Sequence, residues 1–291
     1  MSKMSMTGRR FSLVLAGGGV RGMAHVGVLR GLNQIGLYPD VIVGVSMGGV
    51  IAATYALNPD WYRALCQMDT STFPETPRPV NGELREMVRA LLASERVVRE
   101  MLLGWGAGEQ SLAAGKALLS ELTLGRKLEQ GRIPIATVAM DLVTGQRVVF
   151  DKGDAVPATY ASAALPGLLP PLKQNGQLLA DGTYVDDVPV DVARKLDAAA
   201  KLGVGRVMAV DVSQMEPAGD IHNGFQSIMR AVEICHNAHS RSRFEAADAV
   251  LKVTFPEQIN VLDFDRKRQC IAAGIRAVRS QEKTLRRLLC D

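Results

Sequence analysis

From Asp40 to Leu57 the chain reads DVIVGVSMGGVIAATYAL. The β-branched run Val41-Ile42-Val43 is apolar enough for a buried strand. Gly44-Val45-Ser46-Met47-Gly48 turns the chain sharply, and an Ala-rich helical stretch follows. This is G-x-S-x-G between a strand and a helix, the setting of a nucleophile elbow. A serine in that position sits on a strained turn, where Cβ atoms on its neighbours would meet the crossing strand and helix. Gly44 and Gly48 are therefore read as the elbow glycines. The helix that follows aims its first amides, and the positive end of its dipole, at the serine.

The residues upstream extend the pattern. Phe11 to Ala16 (FSLVLA) reads as a first strand, ending in Gly17-Gly18-Gly19-Val20-Arg21-Gly22. Met23 to Ile35 then carries apolar residues at helical spacing (Val26, Leu29, Leu32) before the elbow strand. Strand, helix, strand and helix within about sixty residues call for an α/β fold, a parallel sheet with helices on its faces.

Residues 61–131 change in texture and are read as a helical insertion over the edge or mouth of the sheet. Pro74, Pro77 and Pro79 mark a loop, Glu83 to Leu103 an amphipathic helix, Gly104 to Gly108 a glycine-rich link, and Ser111 to Leu122 a further helix. Alternation resumes with strands at Ile133–Leu142 and Gln146–Phe150, joined by a hairpin at Thr144-Gly145. A helix over Ala155–Ala164 and a short strand, Leu178–Ala180, follow. Beyond them come a helix over Asp191–Lys201, a strand over Arg206–Val212, a helix over Gly224–Ala247 and a strand over Ala249–Phe255. One closing helix over Arg266–Leu289 forms the core of a basic C-terminal segment, 256–291. After an N-terminal extension, 1–10, residues 11–291 are read as a single domain.

A net charge of +4 gives no reason to expect a nucleic-acid partner. Cys66, Cys235, Cys270 and Cys290 form no C-x-x-C and no Cys/His cluster, so neither a metal site nor a disulfide frame is expected, and the protein is read as cytoplasmic. Phe11–Ala16 is shorter than the roughly 7–15 apolar residues of a signal peptide. The uncharged run Val41–Pro59 approaches the about 20 residues of a membrane span, but its glycines, Ser46 and Thr54 fit a buried strand and helix better.

The glycine loop can converge its unhindered amides on an anion. It matches G-x-G-x-x-G, which makes a nucleotide- or lipid-binding module without catalysis a rival reading. A dinucleotide site wants an acidic residue at the end of the second strand. Asp40 has roughly that spacing but precedes the strand, whose far end carries Ser46. A nucleophile there makes the glycines better employed as an oxyanion hole.

A serine also needs a base. His25 lies on the helix after the glycine loop, where a structural role is expected, and His236 and His239 are placed on the surface of a helix. His222, in a loop, is the histidine positioned for an α/β-hydrolase triad in the order Ser46, Asp181, His222. Against that, the elbow comes on the second strand, earlier than that fold has it. The other candidate base is Asp181 itself, ending a short strand at a glycine turn in LADGTYVDDVP; a plain turn aspartate is the alternative.

Together GGGVRG, GVSMG some twenty-five residues later, and DGTYVDDVP far downstream resemble the motifs of the patatin-like phospholipases, a family of serine acyl hydrolases. Ala161-Ser162-Ala163-Ala164-Leu165-Pro166 with Pro170-Pro171 is similar to the segment that precedes the family's aspartate, and the resemblance runs from Phe11 to Val212. It implies a three-layer patatin-like fold, a central and mostly parallel sheet between helices. It also implies a dyad of Ser46 as nucleophile and Asp181 as base, with no catalytic histidine and no cofactor. An oxyanion hole is implied in Gly17, Gly18, Gly19, Val20, Arg21 and Gly22, around the backbone of Gly18 to Val20. The implied substrate is an acyl lipid, a phospholipid or lysophospholipid. Where the family has glycine or alanine after Asp-Gly, this chain has Thr183. From Arg266 to Arg287 there are eight Lys/Arg against one acid, Glu282; a solvated face is the default, and a peripheral contact with anionic membrane is the functional alternative.

Overall fold

A computed structural model describes residues 10–70, 108–214, 221 and 224–290. The helix expected at Glu83–Leu103, the loop prolines before it and His222 lie outside the described residues. The first strand, β1 (Ser12–Leu15), leads through the glycine loop and a 3-10 turn (Gly19–Met23) into α1 (Ala24–Gln34). β2 (Val41–Val45), α2 (Met47–Leu57) and α3 (Trp61–Gln67) follow, then α4 (Gly108–Thr123). Next come β3 (Ile135–Asp141), β4 (Arg147–Phe150), α5 (Ala155–Ala163), β5 (Leu172–Gln174) and β6 (Gln177–Asp181). The chain continues through α6 (Thr183–Asp186), α7 (Val190–Ala200), β7 (Val207–Asp211), α8 (Gly224–Phe244) and β8 (Ala249–Lys252). It closes on α9 (Lys267–Ser280) and α10 (Glu282–Cys290).

One mixed sheet runs β5-β6-β3-β2-β1-β7-β8, with β4 also paired to β3. The five strands from β3 to β8 along that order are parallel, β4 and β6 run antiparallel to β3, and β5 runs antiparallel to β6. Every residue of β1 and β2 is buried, so helices must cover both faces of the sheet centre. α2 and α7 both pack across β1, β2 and β3, and α5 packs on β3. All eleven residues of α2 are buried, which explains why its sequence lacks a polar stripe. α4 packs against α2 and α5, burying Leu119 and Leu122, while the Asn58 side-chain amide donates to the Leu122 carbonyl at 3.1 Å.

The C-terminal segment departs from the expected single helix. It breaks at Gln281, whose φ of −112° and ψ of 12° leave the helical region, and the change of direction turns Leu285 and Leu289 into the core. α9 lies against α1 with almost no gap. A Cβ on Gly27 would stand 1.9 Å from the Ile271 carbonyl oxygen, and one on Gly274 would stand 2.0 Å from that of Ala24. Backbone meets backbone there, and only glycine permits it. β5 is a further element beyond those expected from the sequence. It forms a hairpin with β6 through Asn175-Gly176, both at positive φ (51° and 78°), the dipeptide that favours a two-residue reverse turn.

Candidate active site

Ser46 stands between β2 and α2 with φ 55° and ψ −129°, a conformation that L-residues rarely adopt. The elbow is tight on both sides. A Cβ on Gly44 would lie 2.2 Å from the Gly48 oxygen, and one on Gly48 would lie 2.3 Å from the Leu15 oxygen. Helix and first strand thus meet at backbone distance. Ser162 of α5 braces the turn: its hydroxyl accepts the Ser46 N–H at 3.0 Å and donates to the Val138 carbonyl at 2.7 Å.

Asp181 reaches Ser46 through strand register. Val45, the last residue of β2, pairs with Val138 of β3, and the next residue of β3, Ala139, pairs with Asp181. β4 pairs with Thr137 to Met140, so it takes the opposite edge of β3 from both β2 and β6. The tip of β6 therefore meets the tip of β2 along one flank of β3. There the Ser46 hydroxyl donates to Asp181 Oδ2 at 2.6 Å, and the Thr183 N–H donates to Oδ1 at 2.9 Å. Asp181 is 1% exposed. Burial pushes its carboxyl up to about 6, against the pull of the Ser46 and Thr183 hydrogen bonds. A Cβ on Gly182 would stand 2.3 Å from the Val138 oxygen, which accounts for glycine after the aspartate. Thr183 turns its Oγ1 toward Gly17, where it is buried without a hydrogen-bond partner among the described residues.

Gly18 and Gly19 have φ 151° and 56°. The Gly17 N–H donates to Asp187 Oδ1 at 2.6 Å, the Val20 N–H to the Val261 carbonyl at 2.8 Å, and the Arg21 N–H to the Gly18 carbonyl at 3.1 Å. Among the described residues, no hydrogen bond takes up the amides of Gly18 and Gly19. Arg21 sends its guanidinium to the Gln214 carbonyl at 2.8 Å, which anchors the loop. Gly22 lets the loop approach α2, since a Cβ there would lie 2.8 Å from Met47 Cβ.

Of the histidines, His25 is fully buried, with Nε2 2.8 Å from the Ala16 carbonyl; burial lowers its pKa to about 4, so it is a neutral brace behind the glycine loop. His239 is exposed, whereas His236 is not the surface residue expected. It faces inward from α8, near Tyr184, with Nε2 3.8 Å from Asp187 Oδ2, and burial lowers its pKa. The four-residue steps His236, Ser240, Phe244 carry the signal, masked in the sequence by neighbouring arginines. One of those, Arg243, also turns inward and pairs with Asp186 and Asp191 alongside Arg147. Asp40 accepts the Phe11 N–H at 3.2 Å at the start of β2, the wrong end for a ribose. Among the described residues there is no group of three His, Cys, Asp or Glu side chains fit to hold a metal, and no helix long and apolar enough to cross a membrane.

Known proteins resemble this chain. Patatin-like phospholipase domain-containing protein ZK370.4 of Caenorhabditis elegans is 34% identical over 213 residues, which cover 72% of this chain and 14% of that protein. Human patatin-like phospholipase domain-containing protein 6 is 28% identical over 222 residues, covering 76% of this chain and 15% of its own length. The chain thus spans about one seventh of these relatives. Among solved structures, VipD from Legionella pneumophila aligns with 94% of this chain and 67% of its own at 11% identity and a TM-score of 0.46. The model of the family described as patatin-like phospholipase matches residues 13–194. That match takes in the glycine loop, the elbow and the Asp181 turn together, and the chain belongs to the patatin-like phospholipase family.

Proposed function

We propose that this chain hydrolyses carboxylic esters of acyl lipids, phospholipids or lysophospholipids, through an acyl-enzyme on Ser46 with Asp181 as general base. The observation that carries the reading is the 2.6 Å hydrogen bond from Ser46 Oγ to a buried carboxylate. Asp181 takes the hydroxyl proton as Oγ attacks the ester carbonyl, then gives it to the departing alcohol as the tetrahedral intermediate collapses. Water then attacks the acyl carbon as it loses a proton to Asp181, and the C–Oγ bond breaks as Ser46 Oγ takes that proton back, freeing the fatty acid. The unengaged amides of Gly18 and Gly19, with the first amides of α2, are the donors for the oxyanion. An aspartate is a weak base at its ordinary pKa; raised to about 6, it is still ionised at neutral pH and better matched to the task.

Labelling the purified protein with a fluorophosphonate is expected to place one phosphonyl group on Ser46, located by peptide mass spectrometry. Folded protein without that adduct, with and without lipid vesicles, would rule the nucleophile out.

The free thiols of Cys66, Cys235 and Cys270 support a reducing, cytoplasmic setting for the reaction. Contact with the substrate surface is assigned to the C-terminal helices. Arg268, Arg276 and Arg279 of α9 and Lys283, Arg286 and Arg287 of α10 are exposed, whereas Cys270, Ile271, Ala277, Val278, Leu285 and Leu289 are buried. Six exposed cations suit a peripheral contact with anionic lipid, at about 1 kcal/mol for each one near the surface. Reversing Arg276, Arg279 and Lys283 to glutamate should abolish sedimentation with phosphatidylserine-containing vesicles at 0.1 M salt; unchanged sedimentation would refute the contact.

A further inference from the structure

The turn that carries Asp181 carries two more buried acids, and they serve opposite sides. Asp186 is held by Arg147 of β4 and Arg243 of α8, arginines that it shares with Asp191. Asp187 points the other way. Its Oδ1 accepts the Gly17 N–H at 2.6 Å and its Oδ2 accepts the Ser240 hydroxyl at 3.2 Å, with His236 Nε2 3.8 Å from Oδ2. Among the described residues no lysine or arginine is ion-paired with it, although it is 4% exposed. A carboxylate buried without a paired cation is costly to a fold. Burial accordingly raises its pKa to about 6.

What that carboxylate holds is one end of the glycine loop. The two unengaged amides, Gly18 and Gly19, lie between two anchored ones: Gly17, tied to Asp187, and Val20, tied to the Val261 carbonyl. Gly17 has little room to adjust, since a Cβ there would lie 2.4 Å from Thr183 Oγ1 and 2.8 Å from Asp187 Oδ1. We infer that Asp187 is a positioning residue, which fixes the Gly17 amide so that the Gly18 and Gly19 amides stay aimed at the oxyanion. This rests on the ester-hydrolase reading. Residues 181–187 then govern both halves of the reaction, Asp181 the proton of the nucleophile and Asp187 the direction of the donors. Val261, outside the region matched by the family model, anchors the far end.

Donors aimed at an oxyanion act in the transition state and not on the bound ester, so their misalignment lowers kcat and spares KM. Losing one donor outright costs about 10²–10³ in rate, and displacing two without removing them should cost about 10–100-fold. The test is p-nitrophenyl butyrate hydrolysis, with kcat expressed per Ser46 titratable by fluorophosphonate. Asp187→Ala should lose 10- to 100-fold in kcat on that basis, with KM within about twofold of wild type. Asp187→Asn keeps an oxygen that accepts the Gly17 N–H and should recover to within about fivefold. Should the alanine variant not fold, Asp187→Ser, too short to reach Gly17, replaces it. A purely structural role would lower the titratable fraction and leave kcat per site intact. That result, or an asparagine variant as slow as the alanine one, overturns the inference. Failure of wild-type protein to turn over the ester or label at Ser46 would instead overturn the ester-hydrolase reading.

Discussion

Ser46→Ala is expected to lower kcat for a phospholipid or lysophospholipid by about 10⁴-fold or more, leaving only what substrate binding and the amide donors achieve without a nucleophile. Among the described residues, neither neighbouring hydroxyl can take over. Ser162 is occupied in both directions, accepting from the Ser46 amide and donating to Val138, and Thr183 Oγ1 packs against Gly17. The variant should fold, because α2 begins with backbone bonds that Ser46 makes through its carbonyl, to the Val50 N–H at 3.1 Å. Fatty-acid release, measured beside the circular dichroism spectrum, checks both statements. A folded variant that retains a tenth of wild-type turnover would remove Ser46 from the mechanism.

Asp181→Asn comes second, with about 10²–10⁴ in kcat, the range for loss of a positioned general base. It carries a pH signature. Wild-type kcat should rise as pH passes through about 6 and then level off, because the protonated carboxyl cannot accept the serine proton. In the variant that limb should shrink to what Asp187, also raised to about 6, contributes. Stability should move the other way. A folded pKa above the ordinary 3.8 means that the native state holds the proton more tightly than the unfolded chain. The resulting stabilisation is present below about pH 4 and is lost as pH rises through about 6. At pH 7.5 the ionised group therefore weighs against the fold, on the order of 1–3 kcal/mol, and asparagine removes that burden. The variant should melt higher than wild type at pH 7.5, with the advantage gone at pH 4. Equal melting temperatures at pH 7.5 would mean that the Asp181 pocket is wetter than its burial indicates.

How much of this could be read from the chain depends on how local each signal is. The elbow, the glycine loop and the alternation around them are local, since a strand end, a glycine and a helix start sit side by side in sequence. The pairing of Ser46 with Asp181 depends on strand order. DGTYVDDVP marked a turn, but only the ladders β2–β3 and β3–β6 bring its aspartate to the elbow. Asp186 and Asp187 are adjacent and chemically identical, and only their packing tells that one meets arginines and the other a backbone amide. His236 and Arg243 look like members of a solvated charged face until the turn 181–187 arrives beneath α8. The Asn175-Gly176 hairpin is different: its signal is local and strong, and it escaped because the strands it joins are only three and five residues long.

The register of β3 has a consequence for how such proteins diversify. The proposed nucleophile and base are held by neighbouring residues of one strand, Val138 and Ala139, so their separation is gauged by peptide geometry and not by any surface segment. On the proposed mechanism the reacting pair is therefore one rigid part. Whatever shapes the entrance can be exchanged, lengthened or recoloured without retuning it, so a change of lipid preference need not cost chemical competence.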